Sequence, residues 1–327
     1  MINSRKSRFS DGLGGGYEPL FDYLKGIAII MVVLAHGTGC LKDFLLYPLW
    51  IDQAVPLFIM IQVFHAYKKD TVSYPSLSKI WHRIIYPFLL VQLIYFLYIV
   101  GKCLYHNIDP ILQIKPFLFR GGGGPGSYYI WIYVQIAILC PLFKRVIDYK
   151  LGLFFMVLIC ILVEIFCSLT KTPDSLYRLL CLRYIFLLYL GYLWVKQGIL
   201  LTKKTTAFAV MSSILILALY FIHKWNPVYN FEPWIYNTDW TIFHWFTYFL
   251  PWSLIAFAIC KCYQLNPENK INKFVLLCGK RSYEIFLFQM LVFGISPMVS
   301  WLNTIISFIP LLFFERVAVS NLTKLKK

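Results

Sequence analysis

Charge is scarce in this chain. Only 14% of its 327 residues are charged, against about 25% in a soluble domain, which excludes an ordinary soluble enzyme. Acids are scarcer still, with 15 Asp and Glu against 31 Lys and Arg. No two of the six histidines stand at i,i+4, so no helix-borne metal pair is read. The Gly121–Gly124 run precedes no Lys-Ser/Thr pair and is not a nucleotide P-loop. No Ser-His-Asp set is visible, although Ser127 and Ser282 are available. No secretory signal with a cleavage site is visible either. The nine cysteines are scattered, mostly within apolar stretches, as buried hydrophobes rather than a disulfide framework.

Apolar residues are what the chain does have, at 59%. Apolar runs of membrane-spanning length recur along it. They predict an all-α polytopic membrane protein, a bundle of about ten transmembrane helices. The expected spans are 20–41, 45–66, 84–104, 127–143, 151–170, 179–195, 205–223, 240–260, 274–296 and 301–317. Residues 1–19 read as a flexible basic cytosolic tail, 20–318 as one membrane domain, and 319–327 as a second basic cytosolic tail.

The net charge of +16 does not point to nucleic acid, because the basic residues lie in short segments between spans. With the N-terminus in the cytosol, 22 of them fall on the inner side and seven on the outer. That asymmetry predicts both termini inside. The expected location is the bilayer, as a multi-pass protein of a bacterial inner membrane.

The most telling pair is Lys25 and His36 in the first span, eleven residues apart. On a helix this is about three turns, so both lie on one face, about 16 Å apart along the axis. Ionisable groups inside a membrane helix mark a functional site by default. Asp22 stands three residues before Lys25, within i,i+3 reach. Histidine is the side chain suited to take a proton near neutral pH; a structural imidazole bonded to a neighbouring helix is the plain alternative. An anion arriving from the cytosol would meet Lys25, Arg83 and Lys79. Arg183, placed in the sixth span, needs a partner, for which Glu164 and Glu284 are candidates.

Two outer loops are long. The first, 105–126, ends in Arg120 and the Gly run; it reads as a flexible turn, or as a phosphate cradle of backbone N–H groups. The second, 224–239, is rich in aromatics that suit a sugar ring or an interfacial belt.

Five segments in order resemble the integral-membrane acyltransferase family 3, bacterial O-acyltransferases that modify cell-surface glycans. Its first span carries Arg or Lys, ten residues, then His, as Lys25 and His36 do within Asp22-Tyr23-Leu24-Lys25-Gly26. Val55-Pro56-Leu57-Phe58 is similar to its second span, with Gln62-Val63 in place of the usual Ser-Gly. Arg83-Ile84-Ile85-Tyr86-Pro87 resembles the start of its third, with Ile80 where a second Arg is common. Tyr129-Ile130-Trp131 resembles its aromatic fourth. Gly279 through Ser282-Tyr283 to Leu287 resembles a late span, with Gln289 where many members have His.

The resemblance implies an acyl-CoA donor, acetyl-CoA in the usual case, presented from the cytosol. It implies a glycan or lipid-linked saccharide hydroxyl as acceptor; the histidine spacing separately predicts no metal. Lys25, Arg83 and Lys79 are then expected at the donor phosphates, and His36 with Asp22 at the chemistry. Arg183, Tyr129, Trp131, Glu284 and Gln289 are expected on the acceptor side. His36 as base and His36 as acyl carrier both stay open. A transporter or flippase for an anionic lipid or metabolite, and a membrane scaffold, are the competing readings.

Overall fold

The computed structural model describes residues 19–37, 53–68, 72, 74–198, 202–225, 253–256, 258, 269–296 and 300–312. Every regular element among them is helical. The expected eighth span, 240–260, lies almost wholly outside the described residues, as does the aromatic loop 224–239 beyond Trp225.

The helices are α1 (Pro19–Gly37), α2 (Ala54–Tyr67), α3 (Leu77–Tyr105), α4 (Pro110–Phe119), α5 (Tyr128–Ile147) and α6 (Gly152–Leu169). They continue with α7 (Asp174–Leu179), α8 (Ile185–Gln197), α9 (Lys203–Trp225), α10 (Lys270–Lys280), α11 (Ser282–Ile295) and α12 (Ser300–Ile306). Three of them, α1, α3 and α5, are long and apolar enough to cross a membrane. Leu89, Leu93 and Leu97 of α3 are exposed, as are Phe154, Leu162 and Phe166 of α6. Such exposed apolar helix faces are lipid-facing surface, and the chain is a membrane protein, helical throughout its regular elements among the described residues.

Helix α1 is the hub and packs against α2, α10, α11 and α12. Its contact with α10 is close because two glycines meet backbone. A Cβ on Gly26 would lie 2.0 Å from the Val275 carbonyl oxygen, and one on Gly279 1.6 Å from that of Asp22. The pairs 26/275 and 22/279 run in opposite directions, so α10 is antiparallel to α1. Helix α11 is parallel to it: Lys25 and Ser282 line one cavity, and His36 meets Phe293.

The expected single span over 274–296 is therefore two helices with a reversal at Arg281, whose backbone (φ −112°, ψ 21°) leaves the helical region. Apolar periodicity runs through that break, which is why the pattern conceals it. The loop expected at 105–126 is likewise part helix: Asp109 caps α4 through a hydrogen bond from the Ile111 N–H at 3.0 Å.

Helix α3 holds a π-helical turn over Trp81–Ile85. Pro87 has no N–H for the Arg83 carbonyl four residues back, which breaks the α ladder at that point.

Candidate active site

Lys25 leaves α1 one turn after Asp22, and the two form an ion pair at 2.7 Å. Asp22 is buried while Lys25 is half-buried, so the carboxylate compensates a cation whose head group reaches a cavity. Asp22 stands fourteen residues from His36, about 21 Å along the axis, so it acts on Lys25 rather than on the imidazole.

The cavity beside Lys25 has a volume of about 210 Å³. Tyr129, Tyr133, Ser282 and Tyr283 line it together with Val32, Phe58 and Phe286, and its wall is almost wholly apolar. Val32 is seven residues beyond Lys25 and four before His36, so the cavity follows the face expected to carry both. Tyr129 closes it, with its ring between Phe58 at 5.9 Å and Phe286 at 5.7 Å.

The π-turn joins this cavity from α3. Tyr283 donates its hydroxyl hydrogen to the Ile84 carbonyl, and Ile84 lines the cavity. Arg83 is exposed beside it and close enough to Tyr133 to act on that phenol electrostatically. Lys79, one turn earlier, is exposed. At the α10–α11 corner, Arg281 binds Glu284 at 3.0 Å.

His36 is half-buried at the far end of the stripe, its ring 6.1 Å from Phe293 in an edge-on arrangement. One turn earlier on α11 is Gln289, fully buried. Its Nε2 donates to the Pro125 carbonyl at 3.1 Å. Its Oε1 accepts no hydrogen bond among the described residues, an unusual state for a buried carbonyl.

The Gly run, expected as a flexible turn, is fixed from three sides. Gln92 of α3 clamps Gly123, accepting its N–H at 2.6 Å and donating to its carbonyl at 3.2 Å. Trp131 donates to the Gly121 carbonyl at 2.7 Å, and Gln289 holds Pro125. Positive φ at Gly121, Gly122, Gly124 and Gly126 makes the loop possible. The Gly123 N–H is thus taken and does not face a phosphate.

Tyr129 and Trp131 are two apart on α5, so they face different ways. Tyr129 serves the Lys25 cavity, and Trp131 lines a second cavity beyond the Gly run. Arg183, expected within the sixth span, lies in a 3-10 turn (Cys181–Tyr184) that runs directly into α8. It sits 5.1 Å from the Tyr184 ring and within electrostatic range of Glu164, which accepts the Tyr177 hydroxyl at 2.7 Å. Of the two candidate partners, Glu164 is Arg183's neighbour, and Glu284 binds Arg281.

Sequence reading missed Gln92 and Tyr133, and named Tyr283 only within the late-span motif, with no role. Gln92 had a signal, a lone amide in an apolar run; Tyr133 had none among so many aromatics.

A protein family described as an acyltransferase domain matches residues 19–320, nearly the whole chain. The chain belongs to acyltransferase family 3. No curated protein and no solved structure matches it. In this acyltransferase, the matched region contains both ends of the Lys25–His36 stripe, the π-turn with Arg83 and the α10–α11 corner.

Proposed function

We propose that this acyltransferase moves a small acyl group, acetyl in the first instance, from cytosolic acyl-CoA to a hydroxyl of an extracytoplasmic glycan or lipid-linked saccharide. The observation that carries the reading is the Lys25 cavity, a narrow, mostly apolar space with a cation at one end and a stripe leading to His36.

A CoA-type donor has an anionic end and a long thin arm. Lys25, Arg83 and Lys79 suit the phosphates, since charge-assisted bonds to phosphate are the strong ones. The arm suits a space walled by Val32, Phe58 and Phe286. The protein is then a multi-pass protein of the bacterial inner membrane, with donor and acceptor reaching the site from opposite sides.

His36 acts as general base in this reading. It takes the proton from the acceptor hydroxyl as the oxygen attacks the thioester carbonyl. The new C–O bond forms, the C–S bond breaks, and the thiolate leaves and recovers the proton. The Gln289 Oε1 accepts a hydrogen bond from a neighbouring hydroxyl of the acceptor in this reading. A covalent acyl-His36 is the alternative course, and rapid quench with acid would trap it as a mass increase of one acyl group on the α1 peptide.

The test is thiol release from acetyl-CoA by the purified full-length protein, with and without glycan. Release that needs His36 supports the enzyme reading. Absence of both release and CoA binding in folded protein overturns it in favour of transport.

A further inference from the structure

The second cavity, about 400 Å³, lies between α3, α4, the Gly run, α5 and the end of α7. It has no role in donor binding as described above. An apolar cavity of about 150 Å³ takes a benzene-sized guest, and this one is more than twice as large.

Its chemistry is one-sided. Phe88, Leu89, Phe117, Leu118, Trp131 and Leu180 form apolar walls. The two amides in the wall are both spent on backbone. Gln92 uses its Oε1 and Nε2 on Gly123. Gln135 donates to the carbonyls of Trp131 at 3.1 Å and Leu179 at 2.6 Å, and accepts the Cys181 N–H at 3.1 Å. The Trp131 N–H is spent on Gly121. Little hydrogen-bonding capacity faces the space, so a saccharide would lose its water without replacement. A hydrocarbon chain would lose nothing.

The rim meets the bilayer. Leu89 and Leu118, at the mouth, are 39% and 65% exposed. In a membrane protein such apolar surface faces lipid. Phe117 holds α4 against α3 by stacking on Tyr95, with ring planes 12° apart.

The cavity also touches the reaction end of the site. Gly121 and Gly122 line it, and three residues later Pro125 is held by Gln289, one turn from the residue that meets His36. We propose that this cavity seats the hydrocarbon chain of a lipid-linked saccharide acceptor, entering sideways from the bilayer between α3 and α4. The head group is then delivered over the Gly run toward Gln289 and His36. This deepens the acyltransferase reading by naming the acceptor class, and it rests on that reading for the head group's fate.

The experiment uses the full-length protein in lipid nanodiscs. The probe is a monosaccharide on an isoprenyl phosphate whose chain carries a diazirine, and the comparison probe is a diazirine phospholipid. After irradiation, labelled peptides are mapped by mass spectrometry. The isoprenyl probe is expected to label 117–118 and 179–180 about tenfold more than the phospholipid. Leu180→Trp, which fills the space, should reduce that labelling about tenfold and raise the KM for the isoprenyl acceptor but not for a water-soluble saccharide. Leu89→Trp at the exposed mouth gives the same reading if Leu180→Trp does not fold.

Equal labelling by both probes means bulk lipid only and overturns the proposal, as does absence of labelling at these positions. The donor assay separates the two levels. Selective labelling without thiol release from acetyl-CoA keeps the cavity's ligand and overturns the acyltransfer mechanism. Thiol release with equal labelling overturns the cavity's role alone.

Discussion

Tyr283 reaches back 199 residues to place its hydroxyl on the carbonyl of Ile84. That bond ties the start of α11 to the π-turn that carries Arg83. Tyr283 holds the carbonyl next to the one that Pro87 leaves without its α-helical donor, so Arg83 and the Lys25 cavity share one support.

Tyr283→Phe should cost about 1 kcal/mol of stability, the usual net worth of a hydrogen bond. The larger effect should be on the donor, with KM for acetyl-CoA rising while kcat falls less. Steady-state kinetics in detergent checks it. Unchanged KM would detach the π-turn from donor binding.

Lys25→Ala should weaken CoA binding about tenfold or more, because a charge-assisted phosphate contact is lost. Lys25→Arg, which keeps the charge, should retain most of the affinity. Lys25→Ala also leaves Asp22 buried beside no cation, so thermal stability should fall and recover in the double variant with Asp22→Asn. Isothermal titration with CoA reads the first effect and thermal denaturation the second.

The α1–α10 contact makes a steric prediction. Gly26→Ala and Gly279→Ala each drive a methyl into a carbonyl oxygen, so both should lower the yield of monodisperse protein severely. Gly101→Ala has open space around it and should be neutral. Size-exclusion profiles in detergent decide the matter, and a well-behaved Gly279→Ala protein would contradict the antiparallel pairing.

Gln92→Leu strips the Gly run of its clamp and leaves the Gly123 N–H buried without its acceptor. The expected loss is about 1–3 kcal/mol. Gln92→Glu keeps the acceptor oxygen and should lose less. Thermal denaturation checks the order of the two, and equal losses would mean the clamp is not what holds the loop.

Much of this was readable in the sequence because charge is so costly in a membrane. Lys25, His36 and Asp22 stand out against an apolar background, and the i,i+3 pair forms as its spacing demands. The membrane class follows from composition for the same reason. What stayed hidden depends on distant partners or on direction. The Gly run looked flexible because its clamps, Gln92 and Gln289, lie 31 and 164 residues away. The reversal at Arg281 leaves the apolar pattern intact on both sides, so periodicity reads one span where two helices pack oppositely on α1. Arg183 could not be assigned between Glu164 and Glu284 until the short Arg281–Glu284 bridge removed one of them.

The central claim is that His36 performs the chemistry while Lys25 and its neighbours hold the donor. The direct measurement is thiol release from acetyl-CoA by wild type and His36→Ala, alongside CoA binding to both. The account predicts that His36→Ala binds CoA as wild type does and loses at least about a hundredfold in turnover, within the range of general acid–base catalysis. Full acyl transfer by His36→Ala would contradict it.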